Sequence, residues 1–162
     1  MQWIDEGFRR SPGHYILQTL MAFVCVVVLV LVLEIITNGV IVAALGASAF
    51  IVFAMPKHDT ARPRSLIGGH VLCLVIGLAC SLPLRLGCVS PGVGQGLMGA
   101  VAVAVSIFGM VVFNAEHPPA AGNALAFAIT IGGWGPITFT LGAVCFLSLV
   151  RYVLRGWLRD LV

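Results

Sequence analysis

Apolar residues run continuously along most of the chain and are interrupted by short polar stretches. Four runs reach the roughly 20 residues that a transmembrane helix needs, and they cover residues 15–37, 65–84, 93–113 and 135–154. Two shorter apolar runs lie between them, at residues 39–55 and 117–133. Polar and apolar residues do not alternate within these runs, which excludes a membrane β-barrel. The pattern predicts an all-α integral membrane protein with four long transmembrane helices and two short or broken segments.

The two short runs occupy matching places in two halves of the chain, residues 15–84 and 93–154, each with the order long, short, long. At 1.5 Å per residue each short run covers about 25 Å, which is less than a hydrocarbon core of about 30 Å. Two arrangements fit this pattern: six crossings, which would make the halves a 3+3 inverted repeat, or four long helices with two re-entrant segments. Short segments at matching positions of two halves indicate the binding site of a transporter.

The basic residues favour six crossings. If all six segments cross and the N-terminus is cytoplasmic, Arg85 is the only basic residue outside the cytoplasm. If the short segments re-enter, Lys57, Arg62 and Arg64 move to the outside. Because cytoplasmic loops carry an excess of Lys and Arg, we expect six crossings with both termini cytoplasmic.

Composition agrees with a single transmembrane domain over residues 1–162. The chain is 60% hydrophobic and 9% charged, with a mean hydropathy of +1.08, whereas a soluble domain carries roughly 25% charged residues. The first apolar run is longer than a signal-peptide core of about 7–15 residues, so we expect a retained helix with Glu34 near its outer end. The basic residues adjoin apolar spans and indicate topology rather than nucleic-acid binding. The five cysteines lack CxxC spacing and are expected to be packing residues.

The stretch EHPPAAGNALAF, residues 116–127, places ionisable and helix-breaking residues at the start of the second short run. An ionisable residue inside a membrane is a candidate functional residue. Pro118 and Pro119 bias His117 away from helical backbone, and Glu116 is positioned to orient its imidazole. A rigid helix start is the alternative interpretation of this motif.

Ser48 and Asn123 hold similar places in the two short runs, beside Gly46 and Gly122 respectively. We expect the two side chains either to form interhelical hydrogen bonds that serve packing or to face each other across a central site. In the second case, free N–H groups at helix starts would favour an anion.

Two further candidates lie near the start of the second long run. His70 follows Gly69, which allows close approach of another backbone, and its imidazole is either a packing group or a pore-lining or proton-carrying group. Arg64 ends the charged loop 56–64. Its guanidinium suits a planar anion, although a solvated connector explains the loop equally well.

The sequence contains no motif that indicates an enzyme. GxSxG, a phosphate-binding GxxxxGK[ST] loop, HExxH and paired catalytic carboxylates are all absent. No cluster at metal-ligand spacing surrounds His117, so we expect neither a metal nor another cofactor.

Three motifs in this order resemble the HPP family of integral membrane proteins: LGASAFIVFAMP at 45–56, RPRSLIGGH at 62–70 and EHPPAAGNAL at 116–125. The resemblance covers nearly the whole chain. It implies a transmembrane domain usually described with four helices, and plant members are implicated in nitrite transport across the plastid envelope. Some bacterial members carry C-terminal CBS domains, and none is expected here because the chain ends soon after its last helix.

The sequence and the resemblance together predict a transporter or channel for a small inorganic anion, with nitrite as the leading candidate, in a bacterial inner membrane. Ser48, Asn123 and backbone N–H groups would contact the solute, His70 and His117 would tune charge or carry a proton, and Arg64 would attract the anion. The alternative is a membrane scaffold or regulatory subunit without a solute path. We expect the lipid bilayer and a small anion as partners, and a homo-oligomer because the chain is small.

Overall fold

Helices account for all regular secondary structure in residues 6–32, 39–130 and 133–162, the ranges that the computed structural model of the protein describes. The expected position of Glu34 lies outside these ranges. The helices are α1 (Glu6–Arg10), α2 (Pro12–Val32), α3 (Gly39–Ala54), α4 (Pro63–Arg85), α5 (Val93–Val112), α6 (Pro118–Ile129) and α7 (Trp134–Leu154), with a 3₁₀ turn at Asp59–Ala61.

Four helices in the described ranges are long and apolar enough to cross a membrane: α2, α4, α5 and α7. They lie where the long apolar runs predicted them. The short run 39–55 forms α3, a shorter apolar helix. The run 117–133 is longer than the helix it contains, because Thr130 takes extended backbone (φ −112°, ψ 126°) and ends α6 after 12 residues. That length corresponds to about 18 Å.

Several chain segments meet at one end of the bundle, which we call the basic end and define by residues 55–62 and 155–162. The Gln18 side chain near the start of α2 donates to the carbonyl oxygens of Phe53 (2.6 Å) and Arg159 (2.8 Å) and accepts from the Arg159 N–H (2.9 Å). The Arg151 guanidinium donates twice to the Pro56 carbonyl oxygen, at 3.0 and 2.5 Å. The start of α2, the end of α3 and the end of α7 therefore lie together.

Helix α6 begins near the basic end and runs away from it. His117, its N-cap residue, reaches the Thr60 carbonyl oxygen of the 3₁₀ turn at 2.8 Å. At the other end of α6, the Gln95 side chain from the first turn of α5 donates to the Ile129 carbonyl oxygen at 2.6 Å. Helices α5 and α6 are therefore antiparallel neighbours.

Glycines on α4 allow α6 to lie directly against it. A Cβ at Gly69 would meet the Ala115 carbonyl oxygen and the His117 Cβ, both at 2.9 Å, and a Cβ at Gly77 would meet the Ala124 carbonyl oxygen at 2.7 Å. Since the later glycine meets the later residue, α4 and α6 are parallel. This close contact positions the polar site.

Candidate functional site

Three polar side chains meet inside the bundle where α3, α4 and the start of α6 come together. Ser48, His70 and His117 are each 0% exposed, and we call them the buried centre. The Ser48 Oγ lies 2.9 Å from the His117 Nε2, and the centroids of the two imidazole rings are 4.9 Å apart. The structure thus brings together three candidate site residues that lie in three separate segments of the sequence.

The backbone around His117 fixes its ring. His117 has extended backbone (φ −142°, ψ 90°) before the two prolines at the first positions of α6, as expected for a residue that precedes proline. Its Nδ1 lies 2.8 Å from the Thr60 carbonyl oxygen, which can only accept, so Nδ1 carries a proton. In the neutral ring Nε2 is therefore an acceptor, and the Ser48 hydroxyl donates to it. Thr60 and Ser48, rather than Glu116, set the tautomer.

His70 has one nitrogen occupied and one without a partner. Its Nδ1 lies 2.8 Å from the Leu66 carbonyl oxygen one turn earlier on α4, so Nδ1 is the protonated nitrogen of the neutral ring. Its Nε2 is buried and has no hydrogen-bond partner among the described residues. A buried polar atom without a partner costs about 1–3 kcal/mol and calls for an explanation.

Asn123 lies farther along α6 than the buried centre. It is 0% exposed, and neither of its amide atoms has a hydrogen-bond partner within the described ranges. Six residues separate it from His117, or about 9 Å of helix rise. Its neighbour Gly122 packs against Ala44, where an added Cβ would lie 3.3 Å from the Ala44 Cβ. The Ser48 Oγ lies 3.0 Å from the Ala44 carbonyl oxygen, so Gly122 lies against the turn of α3 that bonds to Ser48.

The remaining candidates lie outside the buried centre. Arg64 is exposed near the start of α4, and its guanidinium donates to the Phe113 carbonyl oxygen at 3.1 Å. Glu116 is partly exposed beside His117. Gly46 has open space where a Cβ would lie, whereas Gly69 does not. Gly69 therefore has a direct role in bringing His117 to α4.

The start of α6 offers few backbone donors. Pro118 and Pro119 have no N–H, and the Ala120 N–H donates to the His117 carbonyl oxygen at 2.9 Å. The expectation that free N–H groups at this helix start contact an anion is therefore wrong for its first three positions. Any donor to an anion at this point has to come from a side chain.

Sequence reasoning missed Gly77 and Thr60. Gly69, Cys73 and Gly77 recur every fourth residue on the buried face of α4, a small-residue spacing that indicates close helix contact in membranes. That spacing was available in the sequence. The role of Thr60 depends on its main-chain carbonyl, which no residue type reveals.

The buried centre combines one hydroxyl and two imidazoles, groups that can donate or accept a hydrogen bond and, in the case of the imidazoles, bind a proton. In the described ranges no group of three or more His, Cys, Asp or Glu side chains is placed to hold a metal ion.

Comparison with known proteins places these features in a family. Residues 8–157 match the family model described as "HPP, transmembrane region". A transmembrane protein of Dictyostelium discoideum is 37% identical over 86 residues, 53% of this chain and 29% of that protein. Another from the same organism is 31% identical over 85 residues, 52% of this chain and 26% of that protein.

The chain thus matches less than a third of the length of these curated relatives. No solved structure matches it significantly. Because the family model covers most of the sequence and its three motifs supply the buried centre, the chain belongs to the HPP family of transmembrane proteins.

Proposed function

We propose that this protein transports a small inorganic anion across a membrane, with nitrite as the leading solute. The observation that carries the proposal is that the His70 Nε2 and both amide atoms of Asn123 are buried without a hydrogen-bond partner among the described residues. Two hydroxyl oxygens on other helices, the Ser106 Oγ and the Thr140 Oγ1, are in the same condition. Each such atom costs about 1–3 kcal/mol, and a membrane interior offers no water to satisfy it. A polar solute that occupies this place would provide the missing hydrogen bonds.

The size and type of these groups favour a small anion. The Asn123 Nδ2 is a permanent donor, and an imidazole becomes a donor at both nitrogens when it is protonated. Nitrite is small, planar and accepts hydrogen bonds at its oxygens, and the resemblance to plant members of the family points to the same solute. Arg64, exposed near the start of α4, supplies positive charge that attracts anions.

The burial of the centre supports a carrier more than an open channel. Ser48, His70, His117 and Asn123 are all 0% exposed, so solute can reach them only if the helices around them move. Helix α3 and the 12-residue helix α6 are the elements that we propose to move, since both are short and both line the centre. The enclosed conformation would then alternate with two others, each of which opens the centre to one side of the membrane.

We also propose that α2 to α7 make six crossings. The start of α2, the end of α3 and the end of α7 meet at the basic end, and α6 runs from that end to Gln95 at the start of α5. Eight of the nine basic residues then lie on one side and Arg85 on the other. The positive-inside tendency makes that side the cytoplasm, with both termini there and a bacterial inner membrane as the location. We further propose that the chain forms a homo-oligomer.

The test is a flux measurement on purified protein in liposomes, with nitrite compared with nitrate, formate and chloride at two pH values. Wild-type protein is expected to admit nitrite. His117→Ala is expected to abolish uptake, because it removes the imidazole that bonds to both Thr60 and Ser48. The variant is expected to remain folded. His14→Ala, at a partly exposed position on α2, is the matched control.

Two outcomes would contradict the proposal. Uptake by His117→Ala at the wild-type rate would remove the buried centre from the pathway. Failure of the wild-type protein with all four anions would favour a membrane scaffold or regulatory subunit instead.

A further inference from the structure

We propose that the anion is bound together with a proton on the Nε2 of His70, so that transport moves anion and proton as an electroneutral pair. This inference rests on the proposed function and specifies its energetics. It follows from three features of the buried centre: the tautomer of His70, the placing of charges around it and the shortage of other donors.

The tautomer makes His70 unable to bind an anion in its neutral form. Its Nδ1 proton is committed to the Leu66 carbonyl oxygen at 2.8 Å, which leaves a lone pair on Nε2. A lone pair repels the oxygens of an anion. When Nε2 gains a proton, the same atom becomes a charge-assisted donor, and the anion can then accept a hydrogen bond from it.

His117 differs because it is satisfied in either charge state. When its ring is neutral, the Ser48 hydroxyl donates to Nε2 across 2.9 Å. When its ring is charged, Nε2 donates to the Ser48 Oγ, and that hydroxyl turns to the Ala44 carbonyl oxygen, 3.0 Å away. Protonated His117 needs no solute, whereas protonated His70 has an N–H without an acceptor until a solute arrives. The requirement for a proton and an anion together therefore lies at His70.

Within residues 6–32, 39–130 and 133–162, no carboxylate forms an ion pair or hydrogen bond with His70. Helices α3, α5 and α6 contain no Asp, Glu, Lys, Arg or His, and the titratable side chain in ring contact with His70 is His117. On α4 itself, Arg64 lies near the start, Arg85 ends the helix, and the Cys73 thiol lies 3.8 Å from the Met110 sulfur.

The charges on the other elements around α4 are held elsewhere. The carboxylate of Asp59 in the 3₁₀ turn forms an exposed ion pair with Arg62 at 2.6 Å. On α7, Arg151 bonds to Pro56. Glu116 is partly exposed beside His117, whose two ring nitrogens have other partners. An unpaired buried charge is strongly disfavoured, so the transported anion itself is the counter-ion that allows His70 to take the proton.

Competing donors are few, since the first three positions of α6 provide no free N–H. The unpartnered amide of Asn123 lies six residues farther along α6 than His117.

The transport cycle conserves both charge and protons. His70 takes a proton from the side on which the anion enters, the neutral pair is carried in the enclosed state, and the proton leaves Nε2 with the anion on the other side. No net charge crosses the membrane.

The test is nitrite uptake into proteoliposomes with membrane potential and pH gradient set separately, the potential by a potassium gradient and valinomycin. Passive entry of nitrous acid is measured in protein-free liposomes and subtracted. We expect uptake to follow an inward proton gradient and to ignore the potential. A uniporter of a monovalent anion would instead change its accumulation ratio about tenfold for every ~59 mV.

His70→Gln provides the residue-level test. The amide is a donor that needs no proton, so any remaining uptake in this variant should lose its response to the pH gradient and respond to the potential. His14→Gln is the matched control and should behave as wild type. Uptake by His70→Gln that still follows the pH gradient would overturn the assignment to His70.

The wild-type measurement stands even if His70→Gln fails to fold. Uptake that follows the potential and ignores the pH gradient would overturn proton coupling while leaving anion transport intact. Absence of uptake for nitrite, nitrate, formate and chloride would overturn both.

Discussion

Replacing Gly69 with alanine should move His117 away from α4 and Ser48 without removing any polar side chain of the buried centre. An added Cβ would lie 2.9 Å from both the Ala115 carbonyl oxygen and the His117 Cβ. Carbon atoms in contact prefer about 3.5–4.0 Å, so residues 115–117 have to retreat from α4 by up to about 1 Å. His117 would move with them, away from a Ser48 Oγ that is now 2.9 Å from its Nε2.

The adjacent glycine provides a matched control, against which the expected loss of stability can be calculated. A Cβ at Gly68 would lie 3.6 Å from the Ala115 Cβ, an ordinary contact. Both substitutions gain about 0.5–1 kcal/mol from the preference of alanine for helix, while overpacking costs about 1–3 kcal/mol in Gly69→Ala alone. The stability difference between the two variants should therefore be about 1–3 kcal/mol.

The assay is thermal unfolding of both variants in the same detergent, followed by nitrite uptake in liposomes. Each kcal/mol corresponds to about 2–4 °C in Tm for a chain of this size. Gly69→Ala should melt below Gly68→Ala and lose uptake, whereas Gly68→Ala should keep both. Equal melting temperatures and equal uptake would refute the close contact between α4 and the start of α6 and, with it, the geometry of the buried centre.

Two further predictions concern the basic end. Gln18→Ala should lower stability by about 1–3 kcal/mol and speed tryptic cleavage after Arg155 or Arg159, because it frees Arg159 from α2; unchanged digestion relative to exposed Thr19→Ala would contradict this. In a Cys88→Ser background, Ser11→Cys, Lys57→Cys and Gly156→Cys should react with a membrane-impermeant maleimide from one side only, opposite to native Cys88. A thiol at position 57 that reacts from the other side would exclude a crossing by α3.

The long helices were predictable because membrane spans depend on length and apolarity, which the sequence displays directly. Helix α4 occupies Pro63–Arg85, close to the predicted 65–84, because a charged loop and an arginine bound its apolar run. The end of α6 was not predictable in the same way. Thr130 is compatible with both helix and extended backbone, and its conformation depends on the surrounding helices.

The sequence predicts which polar residues belong to the site but not which of them are in contact. His70, His117 and Ser48 were all identified as polar residues in apolar segments, and the structure brings these three together. The local likeness of the short segments paired Ser48 with Asn123, but such likeness aligns positions in a repeat rather than neighbours in space. Ser48 instead meets His117, because the end of α3 and the start of α6 both lie near the 3₁₀ turn.

Transport through the buried centre requires that a small anion enter it, and nitrogen NMR of histidine-labelled protein in bilayers measures this directly. The ¹⁵N signals of an imidazole distinguish a bare Nε2 from a protonated one, and His70→Gln assigns the signal. We predict a bare His70 Nε2 without nitrite and a protonated one at saturating nitrite, with the signals of His14 and His58 unchanged. A His70 signal that stays the same while nitrite uptake saturates would contradict the account.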